Sequence, residues 1–193
     1  MDMEAQASKY IGIRTIEMAG FAAAVQALRL PFGKECRSEA TCHIRHNDSS
    51  KADEPYIETT SVVDFEPKDL HLMQVLTKRG DEHAKVIRGI MVWAEIDAPR
   101  YWWQEMDTYR VGTDRLSSES TMHIQGKGMS EAELVAMKEA LTEGTKQKRV
   151  QVFSYQTLRR IYFQRRNHRL PHWREFCHWV ENLPFSGELI TIE

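Results

Sequence analysis

The stretch from Ile90 to Arg100 constrains this chain most. Ile90, Val92, Ala94 and Ile96 recur at every second position, with Trp93 on the opposite side. A period of two marks a strand with one buried face. Pro99 then interrupts it. Proline has no N–H to give a ladder but suits the first position of a helix, so a helix is predicted to start there and run through Tyr101, Trp102 and Trp103. These indoles are expected to pack in a core, because aromatics bury large areas.

The flanking sequence supplies further elements. Ile11–Glu17 alternates as a strand does. An Ala- and Leu-rich helix is expected from Met18 to Leu30, stopped before Pro31. Residues 31–55 read mostly as loop, and β-branched "YIETTSVVDF" as a strand. Pro67 can open a helix that Gly80 ends. Ser130 and Glu133 form a capping-box pattern for a helix running to about Gly144. Lys146, Lys148 and Arg149 read as a basic connector. Ser154 is expected to cap a helix over "YQTLRRIYFQRRNHR", and Pro171 to open another over "PHWREFCHWVENL". With no internal repeat or low-complexity segment in 193 residues, the expectation is a single α+β domain, a sheet flanked by helices.

Composition sets outer bounds. Lys and Arg number 26 against 28 Asp and Glu, a net charge of −2, which gives no global attraction to nucleic acid or membrane. No apolar run is long enough for a membrane-spanning helix. The opening "MDMEAQASKY" lacks a signal-peptide pattern. Three cysteines, Cys36, Cys42 and Cys177, do not make a disulfide framework. The expectation is a soluble protein of the reducing cytoplasm.

Two segments carry dense polar chemistry. In "TYRVGTDRLSSEST", Thr113, Ser117, Ser118, Ser120 and Thr121 offer hydroxyls, and Arg110 offers charge. Read as a turn, such a run suits a phosphate or a sugar edge; the plainer alternative is a hydrophilic loop. Near the end, Arg159, Arg160, Arg165, Arg166, Arg169 and Arg174 fall within sixteen residues. Seven residues make about two helical turns, which places Arg159 and Arg166 close to one face, with Arg169 near it. Guanidinium forks suit phosphates and pyrimidine carbonyl edges. A solvated basic face is the alternative, as is a single-stranded nucleic-acid surface using the interleaved Tyr162, Phe163 and Trp173. The Cys36, Cys42, His43, His46 group and the His168, His172, Cys177, His178 group lack zinc spacing, so no metal ligand is assigned. No nucleophile motif is present, and Cys177 on an amphipathic helix is expected to be buried and inert.

The order and content of the two segments resemble the flavin-dependent thymidylate synthases. That family carries R-H-R-x-x-S-x-N-E-x-S-x-R-Y, then a helix reading roughly L-R-x-x-F-x-x-x-R-x-x-x-x-A-Q-W-E. Arg110 falls on the third motif residue, and Thr113 and Ser118 fall on its two serines. Arg160 and Arg166 fall on the arginines of the helix, Tyr162 on the aromatic and Trp173 on the tryptophan. Thr108-Tyr109 stand for R-H, Arg115-Leu116 for N-E, Ser120-Thr121 for R-Y, and Pro171-His172 for A-Q. The resemblance covers residues 90–183 and describes a divergent, phage-type branch.

The resemblance implies a sheet with flanking helices, assembled as a homotetramer with FAD and the uracil nucleotide at subunit contacts. It implies reductive methylene transfer from a reduced folate to dUMP, with a nicotinamide cofactor as the implied reductant. Arg100, Arg110, Thr113, Ser117, Ser118, Ser120 and Arg160 are the implied cofactor-binding residues. Arg159, Arg166, Asn167, His168 and Arg169 are the implied substrate-binding residues, with Arg166 polarising the pyrimidine. A binding homologue that takes a nucleotide without flavin chemistry is the alternative, because about half of the motif positions differ.

Overall fold

The structure is a computed structural model that describes residues 10–33, 43–46, 59–62 and 65–193. Its elements are β1 (Gly12–Ala19), α1 (Phe21–Arg29), β2 (His43–His46), β3 (Thr59–Val62), α2 (Pro67–Lys78), β4 (Met91–Pro99), α3 (Arg100–Met106), β5 (Thr113–Ser118), α4 (Thr121–Ile124), α5 (Glu131–Glu139), β6 (Lys146–Ser154), α6 (Tyr155–Arg165), α7 (Pro171–Glu181) and α8 (Ser186–Leu189). Short 3-10 turns lie at Leu30–Phe32 and Ala84–Gly89. The fold is α+β, built on a four-stranded sheet of order β1-β4-β6-β5 in which every pair is antiparallel. The strands β2 and β3 form a separate ribbon.

The alternation in β4 decides which face of the sheet is covered. Val92, Ala94, Ile96 and Ala98 are fully buried, whereas Met91, Trp93, Glu95 and Asp97 are half-buried. Phe153 of β6 lies opposite Val92 and joins the same core. Helices supply the other side of that core: Phe21 and Val25 from α1, Trp102 and Trp103 from α3, Leu158 and Ile161 from α6, and Trp173, Phe176 and Val180 from α7. Trp102 stands at its centre, with the rings of Trp103 and Trp173 both at 4.9 Å and Phe176 at 5.9 Å. Such tilted and edge-on contacts suit the aromatic quadrupole.

Several boundaries differ from expectation. Helix α1 starts at Phe21, because Gly20 takes a left-handed φ of 94° at a point where a β-carbon would lie 1.9 Å from the Gly89 carbonyl oxygen. Met18 and Ala19 therefore stay in β1. Pro99 closes β4, and Arg100 is the first residue of α3. The expected basic connector is instead the first half of β6, where Lys146, Lys148 and Arg149 pair with Pro99, Asp97 and Ile96. The hydroxyl run is an edge strand, β5, and not a turn; its pairing with β6 shifts register between Arg115 and Ser117. Within "YIETTSVVDF" residues 59–62 form a strand, residues 56–58 and 63–64 lie outside the described residues, and His43–His46 falls in a strand inside the expected loop. Cys36 and Cys42 lie outside the described residues. The capping box at Ser130 is formed, and α5 ends earlier than expected, at Glu139. Helix α6 ends at Arg165, so Arg169 belongs to the connection before α7.

Candidate functional site

The short loop from Asp107 to Gly112, between α3 and β5, is the best-anchored irregular segment near the arginines. Thr157 Oγ1 donates to the Val111 carbonyl at 2.9 Å, and Arg160 Nη2 donates to the same oxygen at 3.0 Å. The Ser154 amide donates to the Gly112 carbonyl at 2.9 Å. On the other side, Arg165 Nε donates to the Tyr109 hydroxyl at 2.7 Å. The start of α6 and its last turn thus hold the two halves of one loop. Ser154, which caps α6 through the Thr157 amide, also bonds the Thr157 hydroxyl, so the cap and the anchor are one hydrogen-bonded chain.

Two clefts open beside this loop. One, of about 410 Å³, is lined by Asp107, Tyr109, Arg110, Thr113, Asp114, Arg115 and Gln151. The other, of about 440 Å³, is lined by Thr108, Tyr109, Arg110, Val111, Arg160, Gln164 and Arg165. Tyr109 and Arg110 line both. The Arg110 guanidinium is exposed and has no hydrogen-bond or ion-pair partner among the described residues. The guanidiniums of Arg100 and Arg115 are likewise without an ion pair there.

Below the first cleft, Arg149 is nearly buried. Its Nη1 donates to both Asp107 carboxylate oxygens, at 2.9 and 3.0 Å, and its guanidinium lies 4.3 Å from the Trp103 ring centre. Burial is the chief effect lowering its pKa; Arg115 and Arg100 repel its charge and add to that, while Asp107 opposes it. Asp107 is thus taken up by Arg149, while Arg110 and Arg115 share the cleft with Asp114 and carry no ion pair among the described residues, which leaves guanidinium N–H groups open to an anion.

The sequence-predicted residues separate into groups. Arg110 and Thr113 meet at the first cleft, and Arg110 and Arg160 meet at the second. Thr113 Oγ1 already accepts a hydrogen bond from Gln151 at 2.6 Å. Ser117, Ser118 and Ser120 lie at or beyond the end of β5 and line neither cleft. Arg159 and Arg166 turn to the segment 190–193. Arg159 Nη1 donates to the carbonyls of Ile190 (2.8 Å) and Ile192, and Arg166 Nη1 pairs with Glu193 at 2.7 Å. Both guanidiniums also lie near the Phe163 ring, at 4.7 and 4.9 Å. Asn167 and Arg169 are exposed between α6 and α7, and His168 is half-buried against Arg165.

Three further residues support the clefts in ways the sequence did not indicate: Glu105, which was not singled out, Arg149, read only as part of a connector, and Arg165, named only as a member of the arginine cluster. Glu105 and Arg165 are separated by 60 residues, a distance over which spacing carries no pairing signal. Cys177 is buried in the core, and burial pushes its thiol up to about 12, so it is no nucleophile at neutral pH. Among the described residues no group of three or more His, Cys, Asp or Glu could hold a metal ion. No helix there is long and apolar enough to cross a membrane.

This four-stranded antiparallel sheet with flanking helices is similar in fold to solved flavin-dependent thymidylate synthases. A crystal structure of the flavin-dependent thymidylate synthase ThyX from Helicobacter pylori complexed with FAD and dUMP matches 93% of this chain and 97% of its own, at a TM-score of 0.64 and 14% identity. A second Helicobacter pylori ThyX structure with FAD and dUMP matches 94% and 98%, at a TM-score of 0.64 and 13% identity. At such identity the likeness is one of fold. No family model matches the chain, and no curated protein does.

Proposed function

We propose that this chain is a thymidylate-synthase-like flavoprotein that binds FAD and a pyrimidine deoxynucleotide and carries out reductive one-carbon transfer to dUMP. The observation that carries this reading is the partnerless Arg110 between two clefts, in a fold whose solved examples hold FAD and dUMP. The donor set fits a dinucleotide: Arg110, Arg115 and the Thr113 hydroxyl converge on one cleft, where neither guanidinium has an ion-pair partner among the described residues and, of the two carboxylates beside them, Asp107 is engaged by Arg149. Both clefts fall in the size range of small-ligand sites.

Reduced flavin, when bound, supplies the hydride. The chain's own residues bind and orient. Arg110 and Thr113, with Arg100, Ser117, Ser118, Ser120 and Arg160, would hold the cofactor. Arg166, with Arg159, Asn167, His168 and Arg169, would hold the nucleotide, Arg166 drawing charge toward the pyrimidine carbonyl. The two sets have different partners within one chain, which favours a site shared between copies in a homo-oligomer, with a tetramer as the proposed assembly. A reduced folate and a nicotinamide cofactor complete the proposed reaction. No side-chain nucleophile is needed, in keeping with the buried Cys177.

A second reading, a nucleotide-binding homologue without flavin chemistry, is favoured by one detail. The Thr113 hydroxyl and an Arg160 N–H are already engaged, by Gln151 and by the Val111 carbonyl. Absorption spectra with added FAD, titration with dUMP, and an assay for dTMP with reduced folate and NADPH separate the two. Yellow protein that binds dUMP and makes dTMP is the expected result. Nucleotide binding without flavin uptake would leave the binding homologue, and binding of neither would end the proposal.

A further inference from the structure

Arg110 is an exposed arginine on a loop, a poor place for a fixed contact unless the loop itself is fixed. On its C-terminal side, Thr157 and Arg160 both donate to the Val111 carbonyl. On its N-terminal side, Arg165 of α6 donates to the Tyr109 hydroxyl at 2.7 Å. Arg165 is itself held from several directions. Its Nη1 pairs with Glu105 at 2.8 Å and lies 2.9 Å from His168 Nε2, and its guanidinium stacks 4.4 Å from the Trp173 ring centre. The same Glu105 oxygen accepts the Trp173 indole N–H at 2.9 Å. The Tyr109 ring meets Trp173 edge-on at 6.0 Å. Arg165 thereby ties the loop to α3, α6 and α7 together.

We infer that Arg165 is a positioning residue: by holding the Tyr109 hydroxyl against the Glu105–Trp173 pair, it fixes the loop that presents Arg110 to an anionic ligand. The inference rests on the proposed function for the identity of that ligand, a phosphate-bearing cofactor or nucleotide. Its own content is mechanical. Lysine at 165 could still pair with Glu105, but a single ammonium cannot also keep the planar Nε contact to Tyr109.

The test is a double-mutant cycle read by binding. FAD, dUMP and inorganic pyrophosphate are titrated into wild type, Arg110→Ala, Arg165→Gln, Arg165→Lys, Tyr109→Phe and the Arg110→Ala/Arg165→Gln double variant. Hydrogen exchange at residues 109–112 is followed in parallel. Arg165→Gln is expected to weaken the ligand that meets Arg110 about tenfold. It should speed exchange in the loop and add nothing once Arg110 is alanine. Tyr109→Phe, which removes a hydroxyl and keeps the ring, should reproduce most of the loss, and lysine should not rescue it. Multiplying effects in the double variant, or unchanged loop exchange in Arg165→Gln, would overturn the inference. If wild type takes up neither FAD nor dUMP, the functional reading falls; loop exchange and the pyrophosphate titrations still decide the positioning role.

Discussion

His172 is buried at the start of α7. Its Nε2 lies 2.9 Å from the Tyr101 hydroxyl, while Nδ1 is buried without a partner among the described residues. The neutral ring with its proton on Nε2 leaves only a lone pair at Nδ1. A second proton would sit there with no acceptor. Burial is the main cause lowering the pKa, with Lys146 adding to it and Glu175 and Glu105 opposing. The unfolded chain therefore takes up this proton first, near 6.5. Stability is full above that value and declines as pH falls from it toward the lower folded value. Urea midpoints at about pH 7.5 and about pH 5.5 should fall less in His172→Gln than in wild type, and equal falls would remove His172 as a cause. The Arg149–Asp107 pair gives a second expectation. Asp107→Ala leaves a nearly buried guanidinium with the Gln147 side-chain amide oxygen and the Trp103 ring among the described residues, and should cost about 1–2 kcal/mol, since Asp107 itself is half exposed. Equilibrium unfolding measures it. Neither residue was legible as special in the sequence, because partners 42 and 71 positions away are set by packing and not by spacing.

Among the elements, α6 is the one on which site and fold meet. Gly112 has φ 75°, and a β-carbon there would lie 2.1 Å from Thr157 Oγ1 and 2.9 Å from Ser154 Oγ. Gly112→Ala should break the cap of α6 and the loop anchor at once, costing roughly 2–4 kcal/mol in thermal or urea unfolding. A loss within error would mean that the loop yields. Helix α5 behaves oppositely. Its capping box is formed, yet none of its residues is buried. Ser130→Ala should cost about 1 kcal/mol locally, seen as faster amide exchange in 131–139 with the global transition unmoved. The element pattern was largely readable: the alternation of β4, the prolines that open α2 and α7, and the caps Ser130 and Ser154 all mark real boundaries. Two of the misreadings share one cause. Polar segments such as Lys146–Arg149 and Thr113–Ser118 read as connectors by composition, but their backbones find a partner strand in space, and the outward-facing positions tolerate charge.

For the molecule as a whole, a single aromatic core joins the sheet to α1, α3, α6 and α7, and Cys177 lies inside it. In a Cys36→Ser/Cys42→Ser variant, labelling of Cys177 should therefore run at the rate of global opening and rise steeply with urea, whereas fast labelling in buffer would show that α7 opens alone. The architecture and the arginine-bearing segments were visible in the sequence; the placing of Arg159 and Arg166 against residues 190–193 was not, since it depends on how the last segment packs over α6. The two outer strands of the main sheet share one trait. Strand β1 shifts register between Thr15 and Glu17, and β5 does so between Arg115 and Ser117. Each also carries exposed charge, Arg14 on one and Asp114 with Arg115 on the other. An irregular, charged border makes a poor template for another chain's strand. The sheet is thus guarded on both sides against open-ended growth, and concentrated solutions should resist forming fibres.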